Sequence, residues 1–252
     1  MTDVLALDAV TAARGRNRIW SQGTFRVPSG SIVGVIGPNG SGKTTLLEMI
    51  LGLLPVAAGR LTVLGEAPHR GNPRIGYVPQ AYATDVGEVV RGQDLVALGR
   101  TGTRWGLSRR SQEDRDQVDA ALAAVSARDF ADQRMSRLSG GQQQRIAIAQ
   151  ALVGQPELLL LDEPFSSLDV RNQHEIVELL GDLQRQRHVT IFVVAHDLNP
   201  LLSILTGAIY LLDGHPHYGP IGEVVDSDLL THLYGTPIKV VRTAQGDLFT
   251  RG

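Results

Sequence analysis

A glycine-rich segment carries residue types that bind phosphate. Residues 37–44 match the pattern G-x-x-x-x-G-K-[ST] and follow an apolar run, Ile32–Ile36, that is typical of a buried strand. Successive backbone N–H groups of such a loop can surround a phosphate chain, while Lys43 reaches the β and γ phosphates and the Thr44 hydroxyl ligates Mg²⁺. The pattern predicts a site for a nucleotide phosphate chain and Mg²⁺. The residues of this site are Gly37, Pro38, Asn39, Gly40, Ser41, Gly42, Lys43, Thr44 and the adjoining Thr45.

A second motif begins a stretch with helical spacing of apolar residues. Residues 138–142 read Leu-Ser-Gly-Gly-Gln. A serine that caps a helix would explain Ser139, but not two adjacent glycines followed by glutamine. With this motif and the phosphate loop, the chain resembles the nucleotide-binding subunits of ATP-binding-cassette (ABC) transporters over essentially its whole length. The resemblance implies that this signature contacts the γ phosphate of ATP held by a second copy of the chain. The residues implied are Ser139, Gly140, Gly141 and Gln142.

The resemblance also implies roles for polar residues that follow two predicted strands. Residues 158–161 are leucines followed by Asp162 and Glu163, which alone would indicate a core strand ending in an acidic turn. In the family, the residue at Asp162 holds Mg²⁺ and the one at Glu163 polarises the attacking water. His196 follows the predicted strand Thr190–Val194 and matches the switch histidine that contacts the γ phosphate.

Two further assignments rest on the same resemblance. Gln80, after the predicted strand Ile75–Val78, matches the glutamine that senses Mg²⁺ and the attacking water. Asp169 matches the loop that crosses the dimer interface, and it is also a suitable first residue for the helix that follows.

One position departs from the family pattern. Arg14 stands where the family usually has an aromatic ring stacked on adenine. A guanidinium plane can also stack on a base, so Arg14 stays a candidate nucleotide-binding residue. Trp20 is close in the sequence, and we expect it to pack in the core.

The elements that must position these residues alternate between strands and helices. Apolar runs predict strands at Ile32–Ile36, 61–64, Ile75–Val78, 158–161, Thr190–Val194 and 208–212, with helices over 43–53 and 170–186. Continuous apolar strands indicate a parallel sheet covered on both faces. The predicted fold is α/β, a P-loop NTPase core with a parallel sheet and an antiparallel β portion.

The predicted secondary structure changes between residues 85 and 152. Strand signals vanish there, and 88–98, 111–125 and Gly140–Leu152 are predicted as helices. We therefore expect an α-helical lobe, residues 85–152, that carries the signature. It is inserted into a core formed by residues 1–84 and 153–252.

Composition excludes several other classes. The 252 residues are 42% hydrophobic, contain no cysteine and have a net charge of −2, which excludes a disordered chain and a disulfide framework. Basic residues are scattered, so no nucleic-acid partner is expected. The most apolar stretch, residues 189–212, contains His196 and Asp197 in its middle, which argues against a membrane span. A cytoplasmic chain is predicted.

The resemblance is strongest to importers of metal ions or metal chelates, on the segments 89–100 and 104–107. It implies an ATPase at the cytoplasmic face of the membrane. Its implied partners are a second copy of itself, a multispanning permease and an extracytoplasmic solute-binding protein. A soluble ABC ATPase in cofactor assembly, of the iron-sulfur type, stays open as the alternative. His215, His217 and His232 could sense metal, but solvated surface histidines are the simpler interpretation.

Overall fold

The structure, a computed structural model, describes residues 2–80, 89–101, 111–166, 168–242 and 248–251. The predicted boundary between residues 84 and 85 and the segment 104–107 lie outside these ranges, as does Ser167. The strands are β1 (Asp3–Arg14), β2 (Asn17–Pro28), β3 (Ile32–Ile36), β4 (Ala58–Val63), β5 (Ile75–Val78), β6 (Leu158–Asp162), β7 (Thr190–Val194), β8 (Gly207–Leu212), β9 (His215–Pro220), β10 (Lys239–Arg242) and β11 (Leu248–Arg251). The α-helices are α1 (Lys43–Ile50), α2 (Gly92–Thr101), α3 (Gln112–Ala124), α4 (Gly140–Leu152), α5 (Val170–Arg187), α6 (Ile221–Val224) and α7 (Ser227–Tyr234).

The central sheet is mostly parallel, as the apolar strands predict. Its order is β5-β6-β7-β3-β8-β9, and only the pair β8–β9 is antiparallel within it. A second sheet, β2-β1-β4, is antiparallel throughout. The predicted α/β class with an antiparallel portion is therefore confirmed.

Hydrophobic cores lie on both faces of the central sheet. In β6, Leu158 and Leu160 face the core shared with α1 and the antiparallel sheet, while Leu159 and Leu161 face the core shared with α4 and α5. Because successive side chains of a strand alternate between faces, a strand covered on both sides must be apolar at every position. The four leucines satisfy that requirement.

The helix that overlaps the predicted range 88–98 runs over Gly92–Thr101 in the structure. Residues 89–91 are not helical, because the backbone there pairs with the segment that precedes the signature. Gly92 N–H donates to the carbonyl of Gln133, and Met135 N–H donates to that of Val90. These bonds, together with the bridge between Arg91 and Arg134, keep residues 90 and 91 out of the helix, which begins at Gly92.

The C-terminal part that the structure describes contains a capped helix and two paired strands. Asp226 caps α7 through bonds from the N–H groups of Asp228 and Leu229, and α7 is followed by the hairpin β10–β11. In the ranges that the structure describes, we find no helix with the length and apolarity that crossing a membrane requires.

Candidate functional site

Four neighbouring parallel strands end at the candidate site. Strand β3 leads into the phosphate loop, residues 37–44, and β6 ends at Asp162 with Glu163 directly after it. Strand β7 ends two residues before His196, and β5 two residues before Gln80. Because the strands are adjacent and parallel, their carboxyl ends meet at one edge of the sheet, which is where ligands bind in open α/β folds.

The phosphate loop has a backbone that only glycine adopts readily. Gly37, Gly40 and Gly42 have φ values of 149°, 80° and 103°. A Cβ on Gly42 would lie 2.6 Å from Ile19 Cγ2 and 2.8 Å from Trp20 Cδ1. The loop is therefore seated directly on β2, where Trp20 is buried as expected.

Lys43 stabilises the loop from within. Its Nζ donates to the carbonyls of Gly37 at 2.8 Å and Pro38 at 2.9 Å, and the residue is buried. Burial lowers the pKa of Lys43, and the carboxylates of Glu163 and Asp162 act in the opposite direction. The ammonium group is thus held in place beside the loop, ready to exchange a carbonyl for a phosphate oxygen.

Glu163 is held between two of the predicted site residues. Gln80 Nε2 donates to its Oε2 at 2.6 Å, and its Oε1 lies 2.6 Å from His196 Nε2. The backbone of Glu163 has φ of 50°, a strained conformation for a residue with a side chain, and its N–H donates to the carbonyl of Val194. Gln80 and His196, which are 83 and 33 positions from Glu163 in the chain, therefore meet at its carboxylate.

Asp162 is a buried carboxylate, 5% exposed. Burial raises its pKa, as does the charge of Glu163, while Lys43 lowers it. Mg²⁺ prefers oxygen ligands, and the Asp162 carboxylate, the Thr44 hydroxyl and the Gln80 amide supply that donor chemistry at the ends of adjacent strands. The residues present therefore fit the cation that the sequence predicts.

The signature residues have clear local roles. The Ser139 hydroxyl accepts from Gln142 N–H, and Gln142 Oε1 accepts from Ser139 N–H, a reciprocal cap at the start of α4. Ser139 and Gly140 are exposed, whereas Gly141 is buried against α5. A Cβ on Gly141 would lie 2.4 Å from Asn172 Oδ1, so this glycine allows a close approach of the two helices.

Asp169 caps α5 as the sequence predicts for a helix start. Its carboxylate accepts from the backbone N–H and the side-chain amide of Asn172 at 2.8 and 2.9 Å. Neither Asn172 nor its contact with Gly141 was identified from the sequence, because no local motif marks it.

Arg14 lies at the end of β1 and contacts α1. Its guanidinium forms an ion pair with Glu48 and its Nε lies 3.5 Å from Thr45 Oγ1. Glu48 is a residue that the motif analysis missed. The signal that could have found it is the three-residue spacing from Thr45, which places both on one face of a helix.

The three candidate sensor histidines do not form a metal site. His215 Nδ1 contacts the Ser21 carbonyl, and His217 stacks on Tyr210. In the part of the chain that the structure describes, no group of three or more His, Asp or Glu side chains is arranged to hold a metal ion.

Comparisons with known proteins agree with this geometry. The family model described as "ABC transporter" matches residues 21–166. The manganese transport system ATP-binding protein MntB of Bacillus subtilis is 36% identical over 229 residues, 91% of each chain. The zinc transport system ATP-binding protein TroB of Treponema pallidum is 39% identical over 245 residues, 97% of this chain and 89% of its own.

Solved structures give the same assignment. An ABC transporter assigned to the metal-chelate type, solved in an inward-facing conformation, superposes with a TM-score of 0.85 at 27% identity, covering 99% of this chain and 96% of its own. A dimeric ATP-binding cassette in a post-hydrolysis state with ADP and Pi gives a TM-score of 0.70 at 27% identity, covering 86% of this chain and 98% of its own. The chain therefore belongs to the ABC transporter family, as one of its ATP-binding subunits.

Proposed function

We propose that this chain hydrolyses ATP to drive a separate membrane permease that imports a metal ion or a metal chelate. ATP hydrolysis is best supported by the position of the Glu163 carboxylate. It is held between Gln80 and His196 at the sheet edge that also bears the phosphate loop. The cargo class is supported by MntB and TroB, whose names specify manganese and zinc transport.

The phosphate loop binds the triphosphate. Its glycines leave backbone N–H groups facing the anion, the N-terminus of α1 adds a partial positive charge, and Lys43 supplies a full one. Thr44, Asp162 and Gln80 would hold Mg²⁺. When bound, the cation neutralises charge on the phosphates.

Glu163 takes the proton of the attacking water. The water oxygen forms a bond to the γ phosphorus as the bond from that phosphorus to the β–γ bridging oxygen breaks, and ADP and phosphate leave. Both carboxylate oxygens of Glu163 already have partners, Gln80 and His196. Each carboxylate oxygen can accept a second hydrogen bond, so these partners position the base and still leave it able to polarise a water.

A second copy of the chain completes each site. Ser139 and Gly140 are exposed at the N-terminus of α4, and Asp169 is exposed at that of α5. The N-terminus of α4 can bind an anion, whereas that of α5 is already capped by the Asp169 carboxylate. The dimeric cassette that retains ADP and Pi supports this pairing. On this proposal, residues 85–152 form a lobe that carries the signature to the opposite phosphate loop, and residues 1–84 and 153–252 form the core.

Import across a membrane requires partners other than a second copy of this chain. We infer a multispanning permease, an extracytoplasmic solute-binding protein that delivers the cargo, and a peripheral position of this chain at the cytoplasmic face of the membrane. The metal-transport relatives weigh against the alternative, cofactor assembly, which would need no permease.

Deletion of the protein tests the cargo class. We expect cells without it to contain less zinc, manganese or iron than parental cells when the metal is scarce, measured by elemental analysis. Cells carrying Lys43→Ala should match the deletion. No difference in any of the three metals would contradict the cargo class, and co-purification with no multispanning protein would favour cofactor assembly.

A further inference from the structure

His196 lies in a turn that is more exposed than the strand leading to it. Strand β7 is buried at every position, whereas His196 and Asp197 are exposed. The His196 ring contacts Glu163 Oε1 at 2.6 Å, and a cavity of about 310 Å³ lies against the same turn. Empty space beside a residue removes the packing contacts that would fix it, so polar contacts must contribute to the orientation of His196.

Tyr234, the last residue of α7, supplies such a contact. Its hydroxyl donates to the main-chain carbonyl of His196 at 3.4 Å, and its side chain lines the same cavity. Burial and the negative charge of Asp197 raise the pKa of Tyr234 to about 12. The hydroxyl therefore keeps its proton at neutral pH, and it is the donor of this hydrogen bond.

Helix α7, which carries Tyr234, is itself fixed to the core. Leu230 and Leu233 of this helix are buried, 1% and 2% exposed. The Thr231 hydroxyl oxygen accepts from the N–H of Ile238 at 2.9 Å, which ties the helix to the segment leading into β10. Tyr234 thus projects from a rigid element, as a residue that positions another group must.

We propose that Tyr234 is a positioning residue for ATP hydrolysis: its hydroxyl holds the main chain of His196 so that the imidazole meets the Glu163 carboxylate. This inference rests on the proposed function, since Glu163 is the base of that reaction. The C-terminal helix thereby acts on the base through His196. Loss of the hydroxyl should slow the chemical step, whereas binding of the triphosphate by the phosphate loop should persist.

NMR spectra of the isotopically labelled, nucleotide-free chain test the contact directly. Tyr234→Phe removes the hydroxyl and keeps the ring, so the packing of α7 should survive. The Asp197 amide shares a peptide plane with the His196 carbonyl, so its ¹H and ¹⁵N signals should shift when the hydrogen bond is lost. The imidazole ¹⁵N signals of His196 should shift as well, because the ring moves relative to Glu163. Those of His174, exposed on α5, should stay in place.

Steady-state kinetics test whether the contact serves the reaction. Tyr234→Phe should lower kcat for ATP by about fivefold, the size expected for the loss of one hydrogen bond between neutral groups. KM for ATP should stay within about twofold of the parental value. A purely structural role of the hydroxyl would lower the free energy of unfolding but leave kcat of the folded protein unchanged. Tyr218→Phe is the matched control, because Tyr218 is also half-buried but stacks on Phe25 at the other face of the central sheet. It should change neither kcat nor the His196 signals.

The outcomes separate this inference from the proposed function. Unchanged Asp197 and His196 signals in Tyr234→Phe overturn the contact, and a parental kcat overturns its role in the reaction. A fall in kcat without movement of the His196 signals also overturns the inference, because the hydroxyl would then act by another route. If the parental protein does not hydrolyse ATP, the proposed function fails and the reaction role fails with it. The NMR comparison, which needs no nucleotide, then still decides whether Tyr234 holds His196.

Discussion

Replacing Glu163 by glutamine removes the proton acceptor while keeping the shape of the side chain. The structure indicates how the new amide would fit. Its oxygen can accept from Gln80 Nε2, and its nitrogen can donate to His196 Nε2 if the imidazole carries its proton on Nδ1. Because both existing contacts can be replaced by neutral hydrogen bonds, the variant should fold with its site intact.

The expected effects on stability and on turnover differ in size. The contacts of Glu163 involve the half-exposed His196 and the exposed Gln80, so their loss should change the free energy of unfolding by less than about 1 kcal/mol. Loss of a general base raises the barrier by about 2.7 to 5.4 kcal/mol, a drop in turnover of about 10² to 10⁴. Unhydrolysed ATP should then keep two copies together, since each nucleotide contacts both.

Phosphate release measures turnover, and size-exclusion chromatography with light scattering, with and without ATP, measures the dimer. Glu178→Gln is the matched control, because Glu178 also contacts a histidine, His174, but on the exposed surface of α5. Lys43→Ala should abolish both nucleotide binding and the dimer. Turnover of Glu163→Gln near the parental rate would refute the assignment of the base. Loss of turnover without any dimer at saturating ATP would show that dimerisation requires the permease.

Three further outcomes follow from the geometry. Asp162→Asn should raise the thermal midpoint of the nucleotide-free protein at pH 7, because burial raises the pKa of this carboxyl, and its charged form is therefore costly to the fold above its folded-state pKa. The gain should shrink as the pH falls through the raised pKa of Asp162, because the carboxyl becomes protonated, and an equal gain above and below that pKa would contradict the prediction. Gly42→Ala should cost about 2 kcal/mol more in urea unfolding than Gly40→Ala, since both have left-handed backbones but only Gly42 abuts β2; equal costs would contradict the seating of the loop. In the Glu163→Gln background, where ATP is not hydrolysed, Gly141→Ala should displace Asn172 and abolish the ATP-dependent dimer, while ATP binding to the monomer, followed by titration calorimetry, stays within about threefold of that of Glu163→Gln alone; an intact dimer would contradict the importance of that contact.

How far the sequence predicted the site depends on the range of each interaction. The phosphate loop is a conformation of eight consecutive residues, so its pattern is visible without a fold. The bonds from Gln80 and His196 to Glu163 depend instead on the order of β5, β6 and β7, which no local pattern contains. Only a resemblance to a family could suggest those two residues, and the structure supplies the contacts that give them a physical role.

The antiparallel elements show a similar limit. Strands β1 and β2 are 12 residues long each and were not located from the sequence, because bulges interrupt the alternation of apolar and polar residues. Arg14 stands at the end of this hairpin, 34 residues before its partner Glu48. An expectation that Arg14 stacks freely on a base could not include an ion pair whose two members come from different layers of the fold.

Ser139 shows that a structural role and a functional role need not compete. Its hydroxyl oxygen accepts from Gln142 N–H, which explains the serine as a helix cap. A serine hydroxyl has two acceptor positions and one hydrogen, so capping leaves that hydrogen available for a phosphate oxygen of a second copy. The cap also fixes the start of α4, so the exposed Gly140 belongs to the helix N-terminus that would meet the anion. The helix cap is therefore compatible with the proposed nucleotide contact and not an alternative to it.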